Sequence, residues 1–298
     1  MDASIPVNPE LLRAVGLPEP GGDSKDARGR VLVAAGCLEV PGAILLCAEA
    51  ALRVGAGKVR IATCRDLALP VGLALPEARV LALPQTPEGR IAPEAAGLVA
   101  GQARGCDAFL VGPGMMDDAD TSGLVRALLA DPPGAALVLD AGAMAALAED
   151  PDLVRCLEPH AVITPHAGEM ARLLGRERDA IETDPLGAAR EAASRFRTVT
   201  VMKGARTHVV LPDGTAYRHE AGHPGLATAG SGDVLAGLIA GLLARGAEPR
   251  DAALWGVWLH GAAGRRCARD CGGIGFLARE LSPAVPSILA GVLAGTEA

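Results

Sequence analysis

Short runs of β-branched and aliphatic residues recur along the chain, at 30–35 (RVLVAA), 58–63 (KVRIAT), 79–83 (RVLAL), 107–112 (DAFLVG), 136–140 (ALVLD), 161–164 (AVIT) and 198–202 (TVTVM). Most are apolar at consecutive rather than alternate positions, as strands buried on both faces are. Between them apolar residues take helical spacing. From Pro41 to Val54 the residues Ile44, Leu45, Ala48, Ala51 and Leu52 share a stripe, with a proline at the start and Gly55 past the end. Leu235, Leu238, Ile239, Leu242 and Leu243 repeat the pattern before Gly246 and Pro249 stop it. Strands alternating with helices predict βαβ units in an α/β fold: a mainly parallel central sheet flanked by helices.

The segment 207–218 (THVVLPDGTAYR) breaks the alternation, since two β-like runs flank a Pro-Asp-Gly turn. It predicts an antiparallel β-hairpin appended to the sheet. Residues 1–24, rich in Pro, Gly and charge, read as an N-terminal arm outside the core. With no internal repeat or low-complexity linker beyond it, residues 25–298 read as a single domain.

The 298 residues are 50% hydrophobic, enough for a large core, and carry a formal charge of -7. That balance leaves no basic stripe for a phosphate backbone, so nucleic acid is not an expected partner, and anions must be held by local devices. The seven cysteines are scattered, without CxxC spacing, and read as reduced core thiols rather than ligands. The start has no basic, then apolar, secretory pattern, and the longest uncharged apolar run, Val234 to Ala244, is far short of the roughly 20 residues that span a bilayer. A cytoplasmic protein without membrane contact is expected.

The densest chemical signal is 222–243 (GHPGLATAGSGDVLAGLIAGLL). Gly230, Ser231 and Gly232 allow backbone N–H groups close to a ligand, and the helix that follows aims its dipole at the same point, which makes an anion hole. Ser231 or Asp233 as a mere helix cap would explain one polar residue, but not an all-small loop. A carboxylate beside an anion site suits proton abstraction, so Asp233 is the candidate base. At 201–210 (VMKGARTHVV) a strand runs into Lys203, Gly204, Ala205, Arg206 and Thr207, a cation and hydroxyl set suited to nucleotide phosphate and ribose. At 162–170 (VITPHAGEM) another strand ends in Pro165, His166, Gly168 and Glu169, where Glu169 suits a magnesium ion held through water. Two further turns, with Gly36, Pro41, Gly42 and Ala43 in one and Gly112, Pro113 and Gly114 in the other, are weaker signals, since βα loops generally carry Gly and Pro.

Together, Gly36 with Pro41-Gly42-Ala43, Gly112-Pro113-Gly114, LDAGA at 139–143, TPHAGE at 164–169, Lys203-Gly204 with Thr207, and GSGD at 230–233 occur in an order that resembles the ADP/ATP-dependent NAD(P)H-hydrate dehydratases, which have the ribokinase-like fold. The resemblance runs from about Lys25 to the C-terminus. It implies a substrate in which water has added across a nicotinamide ring double bond. A nucleotide phosphorylates the ring hydroxyl, and phosphate then leaves to restore NADH or NADPH. Asp233 would be the base and Gly230, Ser231 and Gly232 the anion hole. Lys203, Gly204, Ala205, Arg206, Thr207 and Gly232 would serve ADP or ATP; Ala43, Gly114, His166 and Asp233 would serve the hydrate; Glu169 would organise Mg2+ through water. The resemblance also implies a homo-oligomer, often a tetramer among similar proteins, and a separate NAD(P)H-hydrate epimerase. His223, Ala167 and Cys37 stand where the family more often has Asn, Pro and Ser.

A small-molecule kinase of the same fold, acting on a vitamin-precursor alcohol, shares the GSGD logic. The TPHAGE text and the early GxxxxPGA loop favour the dehydratase. A nucleotide sensor without turnover would have no use for Asp233.

Overall fold

In a computed structural model, residues 4–19, 24–157, 160–220 and 222–296 are described. The apolar runs form the strands: β1 (Ile5–Pro6), β2 (Arg30–Ala34), β3 (Lys58–Cys64), β4 (Arg79–Leu83), β5 (Ala108–Val111), β6 (Ala136–Leu139), β7 (Ala161–Ile163), β8 (Val199–Met202), β9 (Thr207–Val210) and β10 (Ala216–His219). They make one 10-stranded sheet in the order β1-β10-β9-β8-β7-β6-β5-β2-β3-β4. Pairing is parallel from β4 through β3, β2, β5, β6 and β7 to β8, with Val33 opposite Ile61 on one side and Leu110 on the other. The strands β2, β5 and β7 are buried along most or all of their length, which is why their sequences do not alternate.

The predicted hairpin is present and extended. β9 runs antiparallel to both β10 and β8, with Thr200 opposite Val210 and Tyr217 opposite Val209. Its turn closes through Leu211 and Gly214, whose φ of 88° is left-handed.

The leading segment differs from the arm expected over 1–24. β1 adds in parallel to β10, and Asn8 caps a helix, Pro9–Val15, that puts fully buried Leu12 into the core. Trp255 Nε1 donates to the Gly16 carbonyl at 3.0 Å. A polar, Pro-rich text hides this because backbone pairing and one leucine do the anchoring. The core-thiol expectation holds for Cys37, Cys47, Cys64 and Cys267, whereas Cys156 and Cys271 are exposed; all seven are free thiols. Among the described residues no helix is long and apolar enough to cross a membrane.

The helix Ser231–Ala244 is apolar all round because it lies inside the molecule. Its neighbour, the helix Gly42–Arg53, approaches so closely that a Cβ at Gly237 would stand 2.2 Å from the Cys47 carbonyl oxygen, and one at Gly241 2.7 Å from that of Ala51. This backbone contact sets where the GSGD turn sits over the sheet.

Candidate active site

The strands that carry the expected motifs end side by side, so β6, β7 and β8 deliver Asp140, Thr164 to Glu169, and Lys203 to one edge. Lys203 Nζ donates to Asp140 Oδ1 at 2.9 Å and lies 3.6 Å from Glu169 Oε2. Thr164 Oγ1 donates to the same Asp140 oxygen at 2.6 Å, and the Lys203 N–H donates to the Pro165 carbonyl at 2.8 Å. Burial opposes the ammonium charge of Lys203, but Asp140 and Glu169 together hold its pKa above the ordinary value. A Cβ on Gly232 would come within 3.3 Å of Lys203 Nζ, so this cation sits directly beside the GSGD turn.

That turn starts at Gly230, whose φ of 87° is left-handed and whose Cβ, were there one, would meet Leu46 Cδ1 at 2.4 Å. The left-handed conformation favours glycine here, and a side chain would also require Leu46 to move. Asp233 stands in the first helical turn. Burial, reinforced by the charge of Asp140, pushes its carboxyl up to about 7 against the pull of Lys203, with Glu169 pushing the same way. A reading of the motif as backbone donors predicts a carboxylate kept ionised near neutrality. In the structure the carboxyl is raised toward neutrality instead, because desolvation and two neighbouring carboxylates outweigh one cation. A base poised near pH 7 suits proton abstraction better than one far below it.

The three residues of the expected anion hole divide. The Ser231 N–H donates to the Thr228 carbonyl at 3.3 Å and its side chain is buried against His260. By helix geometry the N–H groups of Gly232 and Asp233 are the ones left to face a ligand.

His166 is the cap of the helix Ala167–Leu174. Its Nδ1 accepts from the N–H groups of Gly168 at 3.0 Å and Glu169 at 3.3 Å, while Glu169 Oε2 accepts from the His166 N–H at 2.8 Å. Only an unprotonated Nδ1 can accept, and burial lowers the pKa of the ring despite the nearby Glu169. Ala43 and Gly114 are brought together: a Cβ on Gly114 would stand 2.7 Å from both the Ala43 Cβ and the Val40 carbonyl oxygen. Ala43 itself is buried, with its turn tied across by the Gly36 N–H donating to the Pro113 carbonyl at 2.8 Å.

Gly204, Ala205 and Arg206 form an exposed bend, and Thr207 Oγ1 donates to the Gly204 carbonyl at 3.3 Å. A cavity of about 300 Å³ lined by Val7, Asn8, Arg218, His219, Trp258 and Arg265 lies at the β1 edge and includes none of the expected residues. The departures at 223 and 167 are accommodated locally. His223 Nδ1 accepts from the Gly225 N–H at 3.1 Å, as an Asn side chain does in an Asx turn, and Ala167 takes the first helical position, where Pro is equally at home.

Asp140, His260 and Arg90 were not singled out by sequence reasoning. Arg90 joins Glu39 at 2.8 Å to Asp118 at 2.9 Å and so braces the loop leading into the helix Gly42–Arg53. Asp140 stood inside the quoted LDAGA text and carried a signal: a charged residue ending an apolar strand.

A model of the family described as NAD(P)H-hydrate dehydratase matches residues 31–287, which is most of the chain. The chain belongs to the NAD(P)H-hydrate dehydratase family. It is 47% identical over 283 residues to the ADP-dependent (S)-NAD(P)H-hydrate dehydratase of Xanthomonas campestris, covering 95% of each. It is 41% identical over 265 residues to a bifunctional NAD(P)H-hydrate repair enzyme of Moorella thermoacetica, covering 89% of this chain and 50% of that longer one. A solved ADP/ATP-dependent NAD(P)H-hydrate dehydratase of Bacillus subtilis, co-crystallised with ATP and Mg2+, superposes with a TM-score of 0.80 at 28% identity, over 98% of this chain and 100% of that one. A ribokinase-like superfamily protein of Enterococcus faecalis gives a TM-score of 0.83 at 26% identity, over 98% of this chain and 97% of that one. The fold of this family member is ribokinase-like.

Proposed function

We propose that this protein dehydrates hydrated NADH and NADPH in a nucleotide-dependent reaction. The observation that carries the reading is Asp233: a carboxyl poised near pH 7 in the first turn of a helix, beside the half-buried Lys203. The ring hydroxyl attacks the terminal phosphorus of ADP or ATP, the bond to the bridging oxygen breaks, and the hydroxyl proton passes to Asp233. Gly232 and Asp233 N–H groups stabilise the transferring phosphate. Phosphate then leaves, driven by the ring nitrogen lone pair, and a neighbouring carbon loses a proton, so that the net change is loss of water.

Lys203 to Thr207 lie along the nucleotide in this reading, and His166, Ala43 and Gly114 flank the hydrate. In this reading Glu169, 9% exposed and beside Lys203, would hold Mg2+ through water together with the phosphates, where the ion would neutralise phosphate charge. The protein works in the cytoplasm as a homo-oligomer, with β1 and the helix Pro9–Val15 joined to 25–298 in one domain, and a separate NAD(P)H-hydrate epimerase supplies the usable stereoisomer.

Incubation with hydrated NADH, magnesium and ADP or ATP should restore the NADH absorbance. No restoration with either nucleotide, together with phosphorylation of a vitamin-precursor alcohol, would replace the reading with a kinase of the same fold. His166 provides a finer check. Asn caps helices as well as His166 does here, so His166→Asn should leave the melting temperature within a degree or two while raising KM for the hydrate roughly fivefold. If only the nucleotide KM moved, His166 would belong to the phosphate side.

A further inference from the structure

The long helix Pro249–Cys271 crosses behind the GSGD turn, and Gly256 lets it come close, since a Cβ there would stand 2.6 Å from Ile239 Cγ1. One turn further along, His260 reaches the turn. Its Nε2 lies 2.8 Å from Ser231 Oγ and 3.0 Å from the Ser231 carbonyl oxygen. A carbonyl can only accept, so Nε2 carries the ring proton and both Ser231 oxygens accept from it. Burial pushes the imidazole down to about 4, which keeps it neutral at working pH and places no second cation behind the phosphate site.

A serine at the start of a helix ordinarily turns its hydroxyl to its own backbone N–H groups. Here that hydroxyl is directed to another helix, and Ser231 is 4% exposed, which takes it out of reach of a ligand. The neighbouring Gly230 is left-handed and carries no side chain to stiffen it. The orientation of the two N–H groups that follow is thus governed by how Ser231 is held.

We propose that His260 is a positioning residue for phosphoryl transfer, gripping Ser231 by two oxygens so that the N–H groups of Gly232 and Asp233 keep their aim at the transferring phosphate and the Asp233 carboxylate its aim at the attacking hydroxyl. This rests on the proposed role of the turn, and an ångström of misplacement in such a site costs on the order of 10²-fold in rate.

The test compares His260→Phe, which keeps a ring without the donor, with His260→Gln, whose amide N–H can reach the same oxygens. Two readouts are used: NADH restoration kinetics and ADP affinity by calorimetry. His260→Phe should lower kcat about tenfold or more and weaken ADP about fivefold, with KM for the hydrate within about twofold, and His260→Gln should regain most of both. Ser231→Ala removes the hydroxyl side of the contact without touching the helix core. Its loss should not add to that of His260→Phe in the double variant, and it decides the matter alone should His260→Phe not fold. Unchanged kcat and ADP affinity in His260→Phe, or equal losses in the Phe and Gln variants that track their melting temperatures, would overturn the assignment. Should the wild-type protein restore no NADH, the proposed function fails, and ADP affinity across the same variants still decides the role of His260.

Discussion

Asp233→Asn should bind ADP about as well as the wild-type protein and turn over roughly 10²-fold more slowly or worse. The substitution keeps the shape of the side chain and its ability to cap the helix, but it cannot take the hydroxyl proton as the oxygen–phosphorus bond forms. If Asp233 were a cap alone, Asn would replace it and the rate would scarcely change. The same variant carries a second, opposite signature in stability. The folded-state carboxyl lies at about 7 and the unfolded one near 3.8, so the native state holds a proton that the unfolded chain has lost between those values. Its stabilising contribution is present at low pH and disappears as pH rises through 7, where an ionised Asp233 faces Asp140 and Glu169, with Cys47 close by and Lys203 in partial compensation. Ligand-free Asp233→Asn should therefore melt several degrees above the wild type at pH 8, by less at pH 5, and at nearly the same temperature only below the unfolded value of 3.8, where both states hold the proton. A protein that lost both activity and stability at pH 8 would show that Asp233 is held by contacts other than these.

Lys203→Met should be among the most destabilising single changes in the molecule. The ammonium, its side chain 18% exposed, lies between Asp140, 2% exposed, and Glu169, 9% exposed, so two largely buried carboxylates depend on it for compensation. Removing one partner of a buried ion pair leaves a charge without compensation and typically costs about 3–5 kcal/mol. At a few degrees per kcal/mol in a domain of this size, the melting temperature should fall by roughly 6–12 °C. Adding Asp140→Asn removes one of the stranded charges, so the double variant should be less destabilised than the sum of the two singles. Thermal unfolding of the four proteins gives the comparison, and a loss below about 1 kcal/mol in Lys203→Met would mean that water reaches this cluster.

Much of the architecture is written locally. A strand buried on both faces is apolar at nearly every position, so β2, β5 and β7 are readable as runs, and the helix Ser231–Ala244 is readable because its apolar spacing and its glycine turn adjoin in the text. GSGD likewise points to an anion site without further context, since a left-handed glycine before a helix start is a property of a few consecutive residues. β1 escapes such a reading: Ile5 and Pro6 are exposed and join the sheet by main-chain bonding to β10, more than two hundred residues away, so their side chains record nothing of it. His260 is a single polar residue in the apolar stretch 252–264 of its helix until that helix is laid against the GSGD turn. The direction of the Asp233 shift belongs to the same class. Its sign depends on burial and on the distances to Asp140, Glu169 and Lys203, three charges delivered by three different strand ends. Periodicity and turn chemistry act over a few residues and survive in the sequence. Desolvation and Coulomb interactions act through space, and only the packed tertiary structure brings those charges together.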